Sequence, residues 1–173
     1  MKKFICMLAV LLSSVMSMNA QSMELDGRWI ADASEDNDYM TLIFVFEGNE
    51  LTQALYAESN IDEIGFVGVL VATPPAPFKI NGNKLSVTSD SSQADFQVTK
   101  TEFNDKVKDA IKLAPSMENT MKELLDQAFE SQKVDMAKTL LYNGDLEIIS
   151  CKDGELKIKD PDGEEYTFFL KGE

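Results

Sequence analysis

The sequence predicts a mainly β fold: an antiparallel barrel of eight to ten strands, with helices inserted between the late strands. Three observations carry this. Short runs of strand-type residues alternate with turn signals along most of the chain. The hydrophobic period changes once from two to helical spacing, after Thr101, and changes back beyond Leu141. The 173 residues suffice for one domain and hardly two.

The first twenty residues read as an export signal and are set aside from the fold. Lys2 and Lys3 form a basic start, residues 4–16 are mostly apolar, and Met18-Asn19-Ala20 ends in the small residue a signal peptidase needs. Cleavage is expected after Ala20, leaving residues 21–173 as the single domain. The apolar run is too short and too early for a spanning helix. The mature chain is therefore expected in the periplasm or outside the cell, with no stable membrane insertion. Cys6 precedes most of the apolar run and does not stand at the cleavage point, so no lipid anchor is expected.

Losing Lys2 and Lys3 takes the net charge from −14 to −16. Such a surface repels phosphate backbones and anionic membranes, which excludes nucleic acid as a partner. Only Cys151 survives processing, so no internal disulfide is available, and the thiol reads as a small buried hydrophobe in a strand.

The elements follow in order. The mature domain opens on Leu25-Asp26-Gly27-Arg28-Trp29-Ile30, which holds the only tryptophan and the only arginine. Residues 32–38 are a polar loop. Residues 39–46, YMTLIFVF, are apolar in both phases, as for a strand covered on both faces. Glu47-Gly48-Asn49-Glu50 turns the chain into a return strand over 51–57, and a polar break follows at 59–63. A third apolar run, 64–72, carries Gly65 and Gly68, residues that permit a bulge or sharp bend. Thr73-Pro74-Pro75-Ala76-Pro77 interrupts the ladder as a stiff connector. Phe78 and Ile80, Leu85 and Val87, and Phe96 and Val98 then alternate with polar neighbours, marking half-buried strands.

A helical insertion is expected over 102–142. The segment FNDKVKDAIKLAP forms one helix, and Ser116 is expected to cap a second. Met117, Met121, Leu124, Leu125, Ala128 and Phe129 recur at helical spacing, the pattern slackens over 131–135, and Asn143-Gly144 ends it. Leu146 and Ile148, Leu156 and Ile158, and Tyr166, Phe168 and Leu170 complete the strands, joined by turns at Asp153-Gly154 and Asp160-Pro161-Asp162-Gly163.

Gly27-Arg28-Trp29 at the head of an antiparallel run, directly after an export signal, resembles the opening motif of the lipocalin and wider calycin barrels. The resemblance implies that Trp29 plugs the closed end of the barrel. In that family an arginine from the last strand covers the tryptophan. No arginine remains here, so Lys171 is expected over the Trp29 ring. The chain has no counterpart of the family's Thr-Asp-Tyr motif, and its helical block stands before the last strands instead of after them.

The residue inventory excludes much chemistry. With no histidine there is no His-based triad, no usual zinc site and no haem held by histidine. There is no phosphate-cradling glycine loop. Carboxylate pairs are everywhere in so acidic a chain and single out no acid–base pair. Asp32, Asp36 and Asp38 cluster in one loop, but their spacing does not match a calcium loop. No metal, cofactor or catalysis is expected. Two functions remain. In the first, the barrel holds a small apolar or amphipathic ligand, lined by Phe78, Phe96, Tyr166 and Phe168 and lidded by Met121, Leu125 and Phe129. In the second, the barrel is solid and its surface binds a protein partner in the cell envelope, as an inhibitor or interaction module. The helices decide between them: across the open end they form a lid, against the wall they shield strand 39–46.

Overall fold

The computed structural model describes residues 24–34 and 39–172, apart from the side chains of residues 139 and 140. The export signal, its cleavage point, Asp36 and Asp38 lie outside the described residues.

Ten strands form one antiparallel sheet. They are β1 (Gly27–Asp32), β2 (Tyr39–Glu47), β3 (Glu50–Ile61), β4 (Gly65–Ala72), β5 (Ala76–Asn81), β6 (Lys84–Val87), β7 (Asp95–Phe103), β8 (Gly144–Lys152), β9 (Glu155–Lys159) and β10 (Glu165–Lys171). Two helices, α1 (Asp105–Leu113) and α2 (Ser116–Leu140), separate β7 from β8. Eight strands close into a barrel in the order β1-β2-β3-β5-β6-β8-β9-β10 and back to β1. With β4 and β7 set aside, this is the chain order, the meander that the tight turns imply.

The sheet forks at β3. One edge of β3 pairs with β2 from Glu50 to Glu58. The other edge pairs first with β5, where Leu51 faces Ala76, and then with β4, from Ala54 opposite Ala72 to Ile61 opposite Gly65. Thus β4 and β5 run end to end along one edge, separated by Thr73-Pro74-Pro75. Proline has no N–H for a ladder, so the interruption frees β5 to pair with β6 while β4 pairs with β7. The connector is shorter than its proline content suggested, because Ala76 and Pro77 already belong to β5. Likewise β3 runs through Ser59 and Asn60, expected as a break, because Val67 and Phe66 of β4 pair with them.

The helical insertion begins later than expected. Glu102 and Phe103 still pair with β4, and Asn104 caps α1, its side-chain oxygen accepting from the Val107 N–H at 2.9 Å. Ser116 does not cap α2. Pro115 is the capping residue, already at helical angles, and turn bonds from the Met117 and Glu118 N–H groups to Ala114 and Pro115 satisfy the first donors. The slack stretch 131–135 lies within an unbroken helix.

α2 packs on the face of the β4–β7 arm that carries Val67, Val69 and Phe96. Leu125 meets Val67 and Val69, and Phe129 stacks on Phe96 with ring centres 5.0 Å apart. Only the last turn of α2 reaches the barrel, where Ala137 and Leu141 join the main core. The helix therefore fills the wedge between the two arms of the fork. Among the described residues it packs on β4 and β7, not on the outer face of β2, and only its last turn borders the barrel's open end. Only part of the expected apolar stripe is buried: Leu124 is 58% exposed.

Large buried side chains occupy the barrel interior among the described residues. Phe44, Phe46, Phe168, Leu51, Leu55, Leu85, Leu146, Leu156 and Ile158 are all fully buried. Phe44 stacks on Phe168 at 4.6 Å between ring centres, and Phe46 meets Phe78 edge-on at 5.1 Å. One end is closed by the β2–β3, β5–β6 and β8–β9 turns and by Leu25. Trp29 is buried there, 2% exposed, and its indole N–H donates to the Leu25 carbonyl at 2.6 Å. The expected Lys171 contact is absent from the described structure. Lys171 stands opposite Arg28, whose side chain points out of the barrel, and the β10 neighbour of Trp29 is Leu170. Strand alternation puts consecutive residues on opposite faces, so Lys171 and Trp29 lie on different sides of the wall.

Candidate functional site

The other end of the barrel is its mouth, bounded by the ends of β1 and β2, the β9–β10 turn and the connector between α2 and β8. A half-open depression of about 690 Å³ lies there. Its floor is Met40, Leu42, Leu55 and Leu141, with the rings of Tyr142 and Tyr166. Its rim is acidic: Asp32, Asp160, Asp162, Glu164 and Glu165, with Lys138 as the one cation among the described lining residues.

Each part follows from local sequence. Asp160-Pro161-Asp162-Gly163 forms the expected turn, and the Asp160 carboxylate accepts from the Glu164 N–H at 2.8 Å. Asp32 accepts from the Ser34 N–H at 3.0 Å, and its hydrogen bonds with Ser34 hold its pKa below the usual carboxylate range. Lys138 pairs with Asp135 at 3.7 Å. Among the described residues, no three acidic or cysteine side chains gather into a metal-binding group.

Tyr142 divides mouth from interior. Its ring meets Phe44 edge-on at 6.1 Å on the core side and Tyr166 at 6.0 Å on the outer side. Burial first, and then a hydrogen bond to Tyr166, pushes its phenol well above the usual tyrosine range. Burial and its bond to Glu164 also raise the phenol of Tyr166, which donates to that carboxylate at 2.7 Å. Tyr142 is held from within the barrel. Gln53, fully buried, donates from its amide to the Tyr142 carbonyl at 2.7 Å and to the Ser89 hydroxyl at 2.8 Å, and accepts from the Tyr142 N–H at 2.9 Å.

The seven residues expected to line a ligand do not converge. Phe168 and Phe78 pack into the barrel core. Phe96, Leu125 and Phe129 form the contact between α2 and the β4–β7 arm. Met121 lies half-buried on α2. Tyr166 alone reaches the mouth. Sequence reasoning missed Tyr142, Gln53 and the floor residues Met40, Leu42, Leu55 and Leu141. Gln53 carried a signal, since it shares the inward phase of Leu51 and Leu55.

The chain is thus a closed antiparallel barrel whose mouth has an aromatic floor and an acidic rim. No protein-family model matches the chain, and no curated protein sequence matches it.

Proposed function

We propose that this is an exported, non-catalytic, lipocalin-like protein that binds a small amphipathic ligand at the barrel mouth, not within the barrel. The depression under the acidic rim carries the reading. Its volume of about 690 Å³ is in the range of small-molecule sites. Its floor offers apolar contact, and its rim repels anions and attracts a cationic or neutral polar head. The buried Trp29 near the closed end and the meander order support the family likeness.

The test is calorimetric titration of the mature chain with dodecylammonium, dodecanol and laurate below their micelle concentrations. The cation is expected to bind tightest at the mouth, and Tyr142→Ala to weaken it about tenfold through lost ring contact. Binding of dodecylammonium unaltered by Tyr142→Ala, or no binding of any probe, would count against the mouth. Native mass spectrometry of protein from its own source checks the same reading by seeking a retained small molecule.

The stacked, fully buried core supports a second reading, in which the barrel is a rigid scaffold whose surface binds a protein partner in the envelope. Crosslinking from the exposed Phe169 in the producing cell tests it: a specific adduct supports it, and none speaks against it.

A further inference from the structure

Acidic residues outnumber basic ones by 30 to 16 in this chain. Arg28, the only arginine, nevertheless faces another cation. It stands directly opposite Lys171 in the β1–β10 register, both side chains on the outer face. Like charges so placed repel each other. Among the described residues neither forms an ion pair. Asp26 and Glu47 line a neighbouring depression with them, but the Asp26 carboxylate accepts from the Gly48 N–H at 3.0 Å, which ties the chain start to the β2–β3 turn.

The two cations stand at one end of an apolar groove of about 410 Å³ on the outside of the barrel. Ile30, Ile43 and Leu70 lie along it, and Tyr39 and Tyr56, edge-to-face at 6.1 Å, form one side. Ile43 is only 8% exposed although it faces outward. The groove crosses five adjacent strands, β10, β1, β2, β3 and β4, about 19 Å at the usual strand spacing. It lies on the outer face of β2 that the helices leave uncovered.

We propose that this groove is a second binding site, for a single-chain amphiphile with an anionic head. Arg28 and Lys171 together hold the carboxylate, sulfate or phosphate head, whose charge relieves their repulsion. The chain lies along Ile30, Ile43 and Leu70. A bare anion would leave the apolar groove unused. An anionic bilayer is disfavoured because two cations fall short of a polybasic patch and the net charge of −14 repels the surface. The site does not depend on the mouth and has the opposite charge preference.

The experiment is a ¹H–¹⁵N NMR titration of the mature chain with laurate below its micelle concentration, alongside acetate, dodecylammonium and anionic phospholipid vesicles. Laurate is expected to shift the amides of residues 28–32, 39–45 and 169–171. The surface double variant Arg28→Gln/Lys171→Gln is expected to keep its spectrum and lose affinity about tenfold. The proposal is overturned by no shift, by equal shifts from acetate or dodecylammonium, by a response to vesicles alone, or by an unchanged response in the double variant. Shifts at Tyr142 and Tyr166 instead would place laurate at the mouth and overturn it too. Dodecylammonium shifts at those two tyrosines report on the mouth reading separately.

Discussion

Gln53 and Tyr142, 89 residues apart in sequence, are joined by two hydrogen bonds in which a side-chain amide pairs with both backbone groups of the tyrosine. Gln53 thus serves as a strand partner where no strand runs. Its own backbone N–H bonds the Thr73 hydroxyl at 3.2 Å, and its carbonyl accepts from the Thr73 N–H at 2.8 Å. One residue therefore fastens the fork in the sheet to the end of the helical insertion. Gln53→Leu leaves buried groups on Tyr142 and Ser89 unpaired, and an expected loss of about 2–4 kcal/mol follows. Urea unfolding measures it. Hydrogen exchange at residues 141–143 should accelerate more than at β8.

Trp29→Ala removes a buried ring and its bond to Leu25, and should cost about 3–5 kcal/mol. Native emission should be blue-shifted and resist iodide. A red-shifted, readily quenched tryptophan would contradict its place beneath the barrel.

Gly65 has φ +123°, and a Cβ there would lie 2.2 Å from the Glu102 carbonyl oxygen and 2.6 Å from the Asn104 nitrogen. Those atoms are backbone, held by the β4–β7 ladder and by the Asn104 N–H bond to the Ile64 carbonyl. Gly65→Ala should destabilise by about 2 kcal/mol or more and loosen the entry to α1. Thermal unfolding showing no change would mean that β4 and β7 do not approach as closely as the structure has them.

The Tyr142 phenol is raised in the folded chain, chiefly by burial and then by its bond to Tyr166. The unfolded chain loses that proton near about pH 10. Above that pH the folded state holds a proton the unfolded state has lost, so this stabilisation is full below about pH 10 and declines as pH rises further. Tyr142→Phe should flatten the alkaline limb of a stability-against-pH curve. An equally steep limb in the variant would assign the alkaline loss to other groups.

Strands and hairpins were legible because period-two alternation and turn residues are local. Asp153-Gly154, both at positive φ, and Asp160-Pro161-Asp162-Gly163 turn the chain where expected. The fork was not legible. Thr73-Pro74-Pro75 reads as an interruption, but that β4 and β5 share one edge of β3 is decided by pairing across distant strands. The helical stripe showed that α2 docks. It did not show against what, because Leu125 and Phe129 fit any apolar face. The mouth was missed for a related reason. Tyr142 lies in a short connector with no period of its own, and its role comes from a glutamine far away in sequence.

Methyl NMR with saturating dodecylammonium distinguishes binding at the mouth from binding inside the barrel. The Met40 and Leu141 methyls and the Tyr142 and Tyr166 ring signals should shift, while the Leu85, Leu146 and Leu156 methyls, buried among the core side chains, stay in place. Large shifts at those three leucines would show that the barrel opens to admit ligand and would overturn binding at the mouth.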